Sequence, residues 1–120
     1  MDDKINLADA FASFEEPFQP RIAALLNDHK VMLAKIKGEF IWHAHPDSDD
    51  FFLVVAGRLT IGLRDRDVVL GPGEFFIVPR GVEHCPRAVE EAQVLLIEPR
   101  HTPNTGDAAT SELTAPERWL

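Results

Sequence analysis

From residue 21 onward the chain is divided into short apolar runs, each closed by a Gly, Pro, Asn or Asp turn signal. That punctuation excludes long helices. The runs predict strands at about 21–26, 30–37, 39–45, 51–56, 58–64, 67–70, 74–78, 82–88 and 93–98. In the stretch 31–37, Val31, Leu33 and Lys35 alternate with Met32, Ala34 and Ile36, as a strand with two different faces requires. Phe51-Phe52-Leu53-Val54-Val55 is apolar at every position, so both of its faces should be covered. Gly71-Pro72-Gly73 and Pro79-Arg80-Gly81 are turns, and Arg64-Asp65-Arg66-Asp67 reads as a hairpin tip. Many short strands at nearly even spacing predict a sandwich or a barrel.

Before this region, Leu7, Phe11 and Phe14 fall at i, i+4 and i+7, which predicts one short amphipathic helix over 6–14 capped by Asn6. Pro17 and Pro20 then end it. Residues 100–120 lose the period, are rich in Thr, Pro, Asn and Gly at 102–106, and read as an irregular tail that Trp119 docks back on the domain. No internal repeat of solenoid or propeller length is present.

With 120 residues the chain makes one domain with a single core. A net charge of −8 and the absence of any basic run argue against nucleic acid, whose phosphates need clustered Lys and Arg. The longest apolar stretches are far too short to cross a bilayer. Met1-Asp2-Asp3-Lys4 is not the start of a signal peptide, and a single cysteine excludes an internal disulfide; both are consistent with a cytoplasmic protein.

Chemistry concentrates at His43-Ala44-His45 and at His84, 39 residues further on, each beside a turn. On a strand, His43 and His45 point the same way while Trp42 and Ala44 point the other. Three neutral imidazoles on one spot start a transition-metal site. Asp47, Asp49 and Asp50 follow directly, and a carboxylate would complete a set suited to Fe, Mn, Ni or Zn with coordination positions left open. His29 and His101 lie in a turn and at the start of the tail and read as solvated. Cys85 should face away from His84 as a small buried residue, and Glu83 should also face away from it. Phe40, Trp42, Phe51, Phe52, Phe75 and Phe76 read mostly as core, with Ile41 on the face of His43 and His45.

The same residues resemble a known family. Gly38, His43, His45, Asp50 and Gly57 resemble the first cupin motif, and Gly73, Pro79, Gly81 and His84 resemble the second. The resemblance covers about residues 30–98. It implies an all-β double-stranded β-helix, or jelly-roll, with an N-terminal helix and arm at 1–20, a barrel at 21–99 and the tail at 100–120. It also implies one divalent metal held by His43, His45, Asp50 and His84. Three positions depart from the pattern. Asp50 stands where the family has Glu, which removes about 1.5 Å of reach. Ala88 replaces the closing Asn of the second motif, and Gly38 lies one residue nearer His43 than is usual. Asp50 is thus a direct ligand, a ligand through water, or the orienter of a three-histidine site.

Three functions are compatible with this reading. The first is a metal-dependent enzyme acting on a small molecule in the barrel mouth, its chemistry (dioxygenase or isomerase type) left open. The second is a non-catalytic module that binds a metal or small ligand. The third, ranked last, is a metal-free isomerase or epimerase built on a His–carboxylate pair. Outer-face apolar residues around Trp42 and 51–56 predict a homodimer.

Overall fold

The computed structural model, which describes residues 4–108 and 114–120, organises the chain around its last strand. The elements are α1 (Leu7–Ala12), β1 (Arg21–Leu26), β2 (His29–Glu39), β3 (Asp50–Ala56), β4 (Leu59–Leu63), β5 (Asp67–Leu70), β6 (Phe75–Val78) and β7 (His84–Pro99). All strand pairings are antiparallel, in the order β1-β2-β7-β3-β6, with β4 joining β5 to β7. This is the jelly-roll expected from the sequence.

β7 belongs to two sheets. Its first half pairs with β4, setting Gly62 opposite Cys85 and Leu63 opposite His84. Its second half pairs with β3, setting Phe51 opposite Ile97 and Phe52 opposite Leu96. β2 follows β7 through the corner, where the register slips between Ile36 with Ala92 and Gly38 with Ala88. Such bulges bend a strand and let it pass from one sheet to the next. The two strands expected at 82–88 and 93–98 are therefore one bent strand. Its exposed corner residues Val89, Glu90 and Glu91 interrupt the apolar period that the sequence shows.

A second expectation is corrected. No strand covers 39–45: β2 ends at Glu39, and residues 40–49 run irregularly with one isolated bridge, between His43 and His84. Period-two parity therefore fails here, and Ala44 is buried beside His43 and His45.

Inward residues of every strand, among them Met32, Phe52, Ile61, Val78, Val94 and Leu96, form the core. Outside the barrel, α1 starts at Asn6, whose side chain accepts from the Asp9 amide at 3.0 Å. The helix places Phe11 and Phe14 on Leu33, the outward face of β2, and burying Phe11 contributes about 2 kcal/mol. Lys35 shares that face and donates through Nζ to the Phe14 carbonyl at 2.5 Å. The tail returns as expected: Leu120 donates to the Ile22 carbonyl at 2.9 Å, beside Trp119. Among the described residues no helix is long and apolar enough to cross a membrane.

The aromatic residues divide by strand parity. Phe52 is buried, but Phe75 is 59% exposed on the outer face, stacked on Phe51 with centroids 5.3 Å apart. Trp42 is covered within the chain by the Arg64 guanidinium, 3.8 Å from its ring, and needs no second subunit for that.

Gly57 and Gly73 separate two costs. Both have left-handed φ, 84° and 83°, but a Cβ on Gly57 would lie 2.6 Å from the Glu91 carbonyl oxygen, whereas one on Gly73 meets nothing within 4 Å. Gly73→Ala should cost about 1–2 kcal/mol in urea unfolding, the price of left-handed backbone. Gly57→Ala should cost about 1–3 kcal/mol more, because the neighbouring backbone must move. Equal losses would show that the corner at Glu91 yields freely.

Candidate metal centre

Backbone hydrogen bonds bring the site together from three parts of the chain. The His43 amide donates to the His84 carbonyl at 3.1 Å, and the His84 amide returns the bond at 2.9 Å. The Gly81 amide donates to the His45 carbonyl at 3.0 Å, drawing the turn at 79–81 onto the same loop. Asp50 opens β3 and His84 opens β7. Ala44, between the two histidines, is held by the tail: its amide donates to Asp107 Oδ1 at 2.7 Å, and its carbonyl accepts from the Asp107 amide at 2.9 Å. Gly106 sits so close that a Cβ there would lie 2.3 Å from the Ala44 carbonyl oxygen.

The four residues expected from the sequence converge. His43, His45, Asp50 and His84 are all buried, and one donor atom from each lies within 4.8 Å of the others. A metal bound at about 2.0–2.2 Å keeps its donors within about 4.4 Å of one another, so little contraction is needed. Asp50 Oδ2 lies 3.2 Å from both His45 Nε2 and His84 Nε2, so the shorter carboxylate does reach the centre. Asp49 does not take part; it is exposed and accepts from the Arg80 amide.

Outer contacts set the tautomers. His43 Nδ1 lies 2.9 Å from the Ile41 carbonyl oxygen and His84 Nδ1 lies 3.0 Å from that of Val82. Each ring therefore donates through Nδ1, the usual support of a metal-binding imidazole, and turns Nε2 to other partners; that of His84 lies in hydrogen-bond reach of Asp50 Oδ2 at 3.2 Å. Both nitrogens of His45 and Oδ1 of Asp50 are buried without a hydrogen-bond partner. Buried polar atoms are rarely left so, and a shared cation would satisfy His45 Nε2. The donor set thus fits a divalent transition metal.

Electrostatics agree. Burial pushes the Asp50 carboxyl up, but the two imidazoles 3.2 Å from it, His45 and His84, outweigh burial and hold the group down at about 2. Burial, then the neighbouring His84, lowers His43 to about 4, so its ring is neutral and ready to coordinate at physiological pH.

Sequence reasoning missed Glu98. It stands at the inward parity of β7, after Val94 and Leu96, and is 3% exposed. A charged residue at the next step of an inward apolar period was the available signal. Burial, and then the charge of Asp50, raises its carboxyl well above the usual range. A cavity of about 50 Å³ lies beside it, walled by Phe18, Phe40, Phe52 and Met32 and reaching His43. Phe40, not Ile41, faces this space: its ring meets His43 edge-on at 5.4 Å and stacks on Phe18 at 5.1 Å. Phe18 holds a φ of 59°, rare for a bulky residue. His29 and His101 are exposed, and Cys85 is buried with its thiol pushed up by burial, as the sequence suggested.

The two perturbed groups pull stability in opposite directions with pH. The unfolded chain protonates His43 near 6.5 and the folded chain only near 4, so stability falls as pH drops through that window. Glu98, raised in the fold, contributes fully below its ordinary 4.5 and loses that contribution as pH rises through its folded value. In metal-free Glu98→Gln only the first effect remains, and the urea midpoint should decline steadily from pH 6.5 to 4. A flat midpoint would mean that His43 protonates as readily folded as unfolded.

Comparison with known proteins agrees with the geometry. A family model described as the cupin domain matches residues 30–98. An uncharacterised Bacillus subtilis (strain 168) protein, YdbB, is 39% identical over 74 residues, covering 61% of this chain and 66% of that one, just under two thirds of its length. A crystal structure of a cupin-2 domain containing protein from Shewanella frigidimarina NCIMB 400 superposes with TM-score 0.79 at 45% identity, over 80% of this chain and 94% of the other. That of NMB1881 from Neisseria meningitidis does so with TM-score 0.74 at 31% identity, over 81% and 99%. Paired motifs, a barrel closed by one bent strand and a buried cluster of three histidines and a carboxylate come together in one conclusion: this chain belongs to the cupin family.

Proposed function

We propose that the protein binds one divalent transition metal (Fe, Mn, Ni or Zn) through His43, His45, Asp50 and His84 and is a metal-dependent enzyme acting on a small molecule in the barrel mouth. One observation carries this reading. His45 is buried with no hydrogen-bond partner at either nitrogen, and one donor atom from each of His43, His45, Asp50 and His84 lies within 4.8 Å of the others. Four protein donors would leave two positions on a six-coordinate ion, and a cavity adjoins the cluster at His43. A bound metal would supply Lewis acidity or a place for dioxygen. Around it the chain's own groups have definite tasks. Asp50 offsets positive charge, the Ile41 and Val82 carbonyls orient the imidazoles, and Phe18, Phe40 and Phe52 keep bulk water out.

Cavity size favours a second reading. About 50 Å³ admits only a small group, as a non-catalytic module that binds a metal or small ligand would need. Turnover of any small molecule by the metal-loaded protein separates the two. Elemental analysis of tag-free, chelator-free protein should give about one metal per chain, and His43→Ala or His84→Ala should weaken metal affinity about tens-fold or more. Unchanged metal content in both variants would sink the metal site. Loss in Asp50→Ala would make the carboxylate a ligand, and retention would leave it orienting the rings.

A homodimer belongs to the same proposal, in a cytoplasmic setting that keeps Cys85 a thiol. Phe75 and Ile77 are 59% and 44% exposed on the outward face of β6, beside half-buried Phe51 and Leu53 of β3. A second copy applied there by a two-fold axis would cover both patches at once. Sedimentation should give twice the 13.4 kDa chain mass, and Phe75→Glu should give the monomer. A wild-type monomer at high concentration would refute the dimer.

A further inference from the structure

We infer that Glu98, which stands beside Asp50, hydrogen-bonds the part of the ligand that fills the adjoining cavity, and that this part is uncharged and carries an O–H or N–H donor. The inference deepens the reading above and rests on it for where the ligand's other end sits.

Four observations carry it. Glu98 is 3% exposed, and its Oε2 is buried with no hydrogen-bond partner. Its cross-strand neighbour Lys30 does not satisfy it: Lys30 Nζ donates to the Thr102 carbonyl at 2.8 Å, and among the described residues no ion pair joins the two. On the other side Asp50 shares a hydrogen bond and its charge with Glu98, and Oε2 still remains without a donor. Finally, Glu98 lines the cavity that also reaches His43, while among the described residues no Lys or Arg lines it.

A carboxyl group accepts through at least one oxygen whether or not it holds a proton, so the unpartnered oxygen needs a donor from whatever fills the cavity. An anionic end there would lie out of water beside two carboxyl groups, with no Lys or Arg lining the space among the described residues. The aromatic walls take the apolar part of the ligand. The space is small, about 50 Å³, so this end is a group of a few heavy atoms. A purely structural origin predicts something different. A buried, unpartnered carboxyl weakens a core, and an apolar or amide residue of similar size would serve packing better.

Acetamide and acetate test this, because they share a shape and differ in donor and charge. The chain has two methionines, Met1 and Met32, and Met32 lines the cavity, so a 13C-methyl label gives one reporter at the site. In metal-free protein, acetamide should shift the Met32 methyl signal saturably and acetate should not. Glu98→Gln should retain acetamide binding, and Glu98→Leu should weaken it about tenfold without lowering the thermal midpoint. Three results would overturn the inference: no Met32 shift with acetamide, an equal shift with acetate, or thermal midpoints well below wild type in both variants. Nickel content of the wild type, measured alongside, keeps the two readings apart. A protein that takes no nickel counts against the metal site, while the acetamide comparison still decides the role of Glu98.

Discussion

A carboxylate, Asp50, sits 2% exposed at the mouth of an apolar barrel, and much of the surrounding structure offsets the cost of keeping it there. Two imidazoles approach it at 3.2 Å, and a third, His43, lies against His84 with ring centroids 4.3 Å apart. Main-chain carbonyls fix two of those rings. The tail locks the loop that carries the first two histidines through both backbone groups of Ala44. A mouth built this way is rigid before any ligand arrives, which is what a metal centre requires of its scaffold.

The bend in β7 makes this arrangement possible. Fourteen residue steps separate His84 from Glu98, about 46 Å in a straight strand, yet both are neighbours of Asp50. The strand runs down one sheet, turns at 89–91 and returns in the other. His84 and Glu98 thus reach Asp50 from the two halves of one strand. Gly57 makes the corner compact, since a glycine there lets the β3–β4 turn lie directly on the backbone of Glu91 and Ala92.

Glu98 gives the mouth a second polar pole. His43 and Glu98 both line the small cavity, with phenyl rings between them, and Glu98 stands beside Asp50 with one carboxyl oxygen unpartnered. Functional sites often retain such groups at a cost in stability. The bent strand joins both poles covalently, so the spacing between them is fixed by the fold rather than by a mobile loop.

Much of this was legible in the chain. Short runs between Gly and Pro turns imposed an all-β fold, because no helix can span those breaks, and eight of the nine expected segments match strands or the two halves of the bent one. HxH, Asp50 and His84 could be assigned to one centre because their spacing from the flanking glycines follows the family's motifs. The irregular path of 40–49 could not be read, because an apolar run looks the same whether its hydrogen bonds form a ladder or a few isolated bridges. For that reason parity placed Ile41 rather than Phe40 beside His43. The residues alone determined the kind of fold and which side chains form the candidate metal centre, since local turn chemistry and ligand chemistry belong to the residues themselves. Only the tertiary structure decided that 82–88 and 93–98 are one strand, that Asp50 reaches the imidazoles, and that Glu98 and the tail complete the mouth. Those facts depend on which distant segments the bend of β7 brings together, and sequence separation carries no record of that.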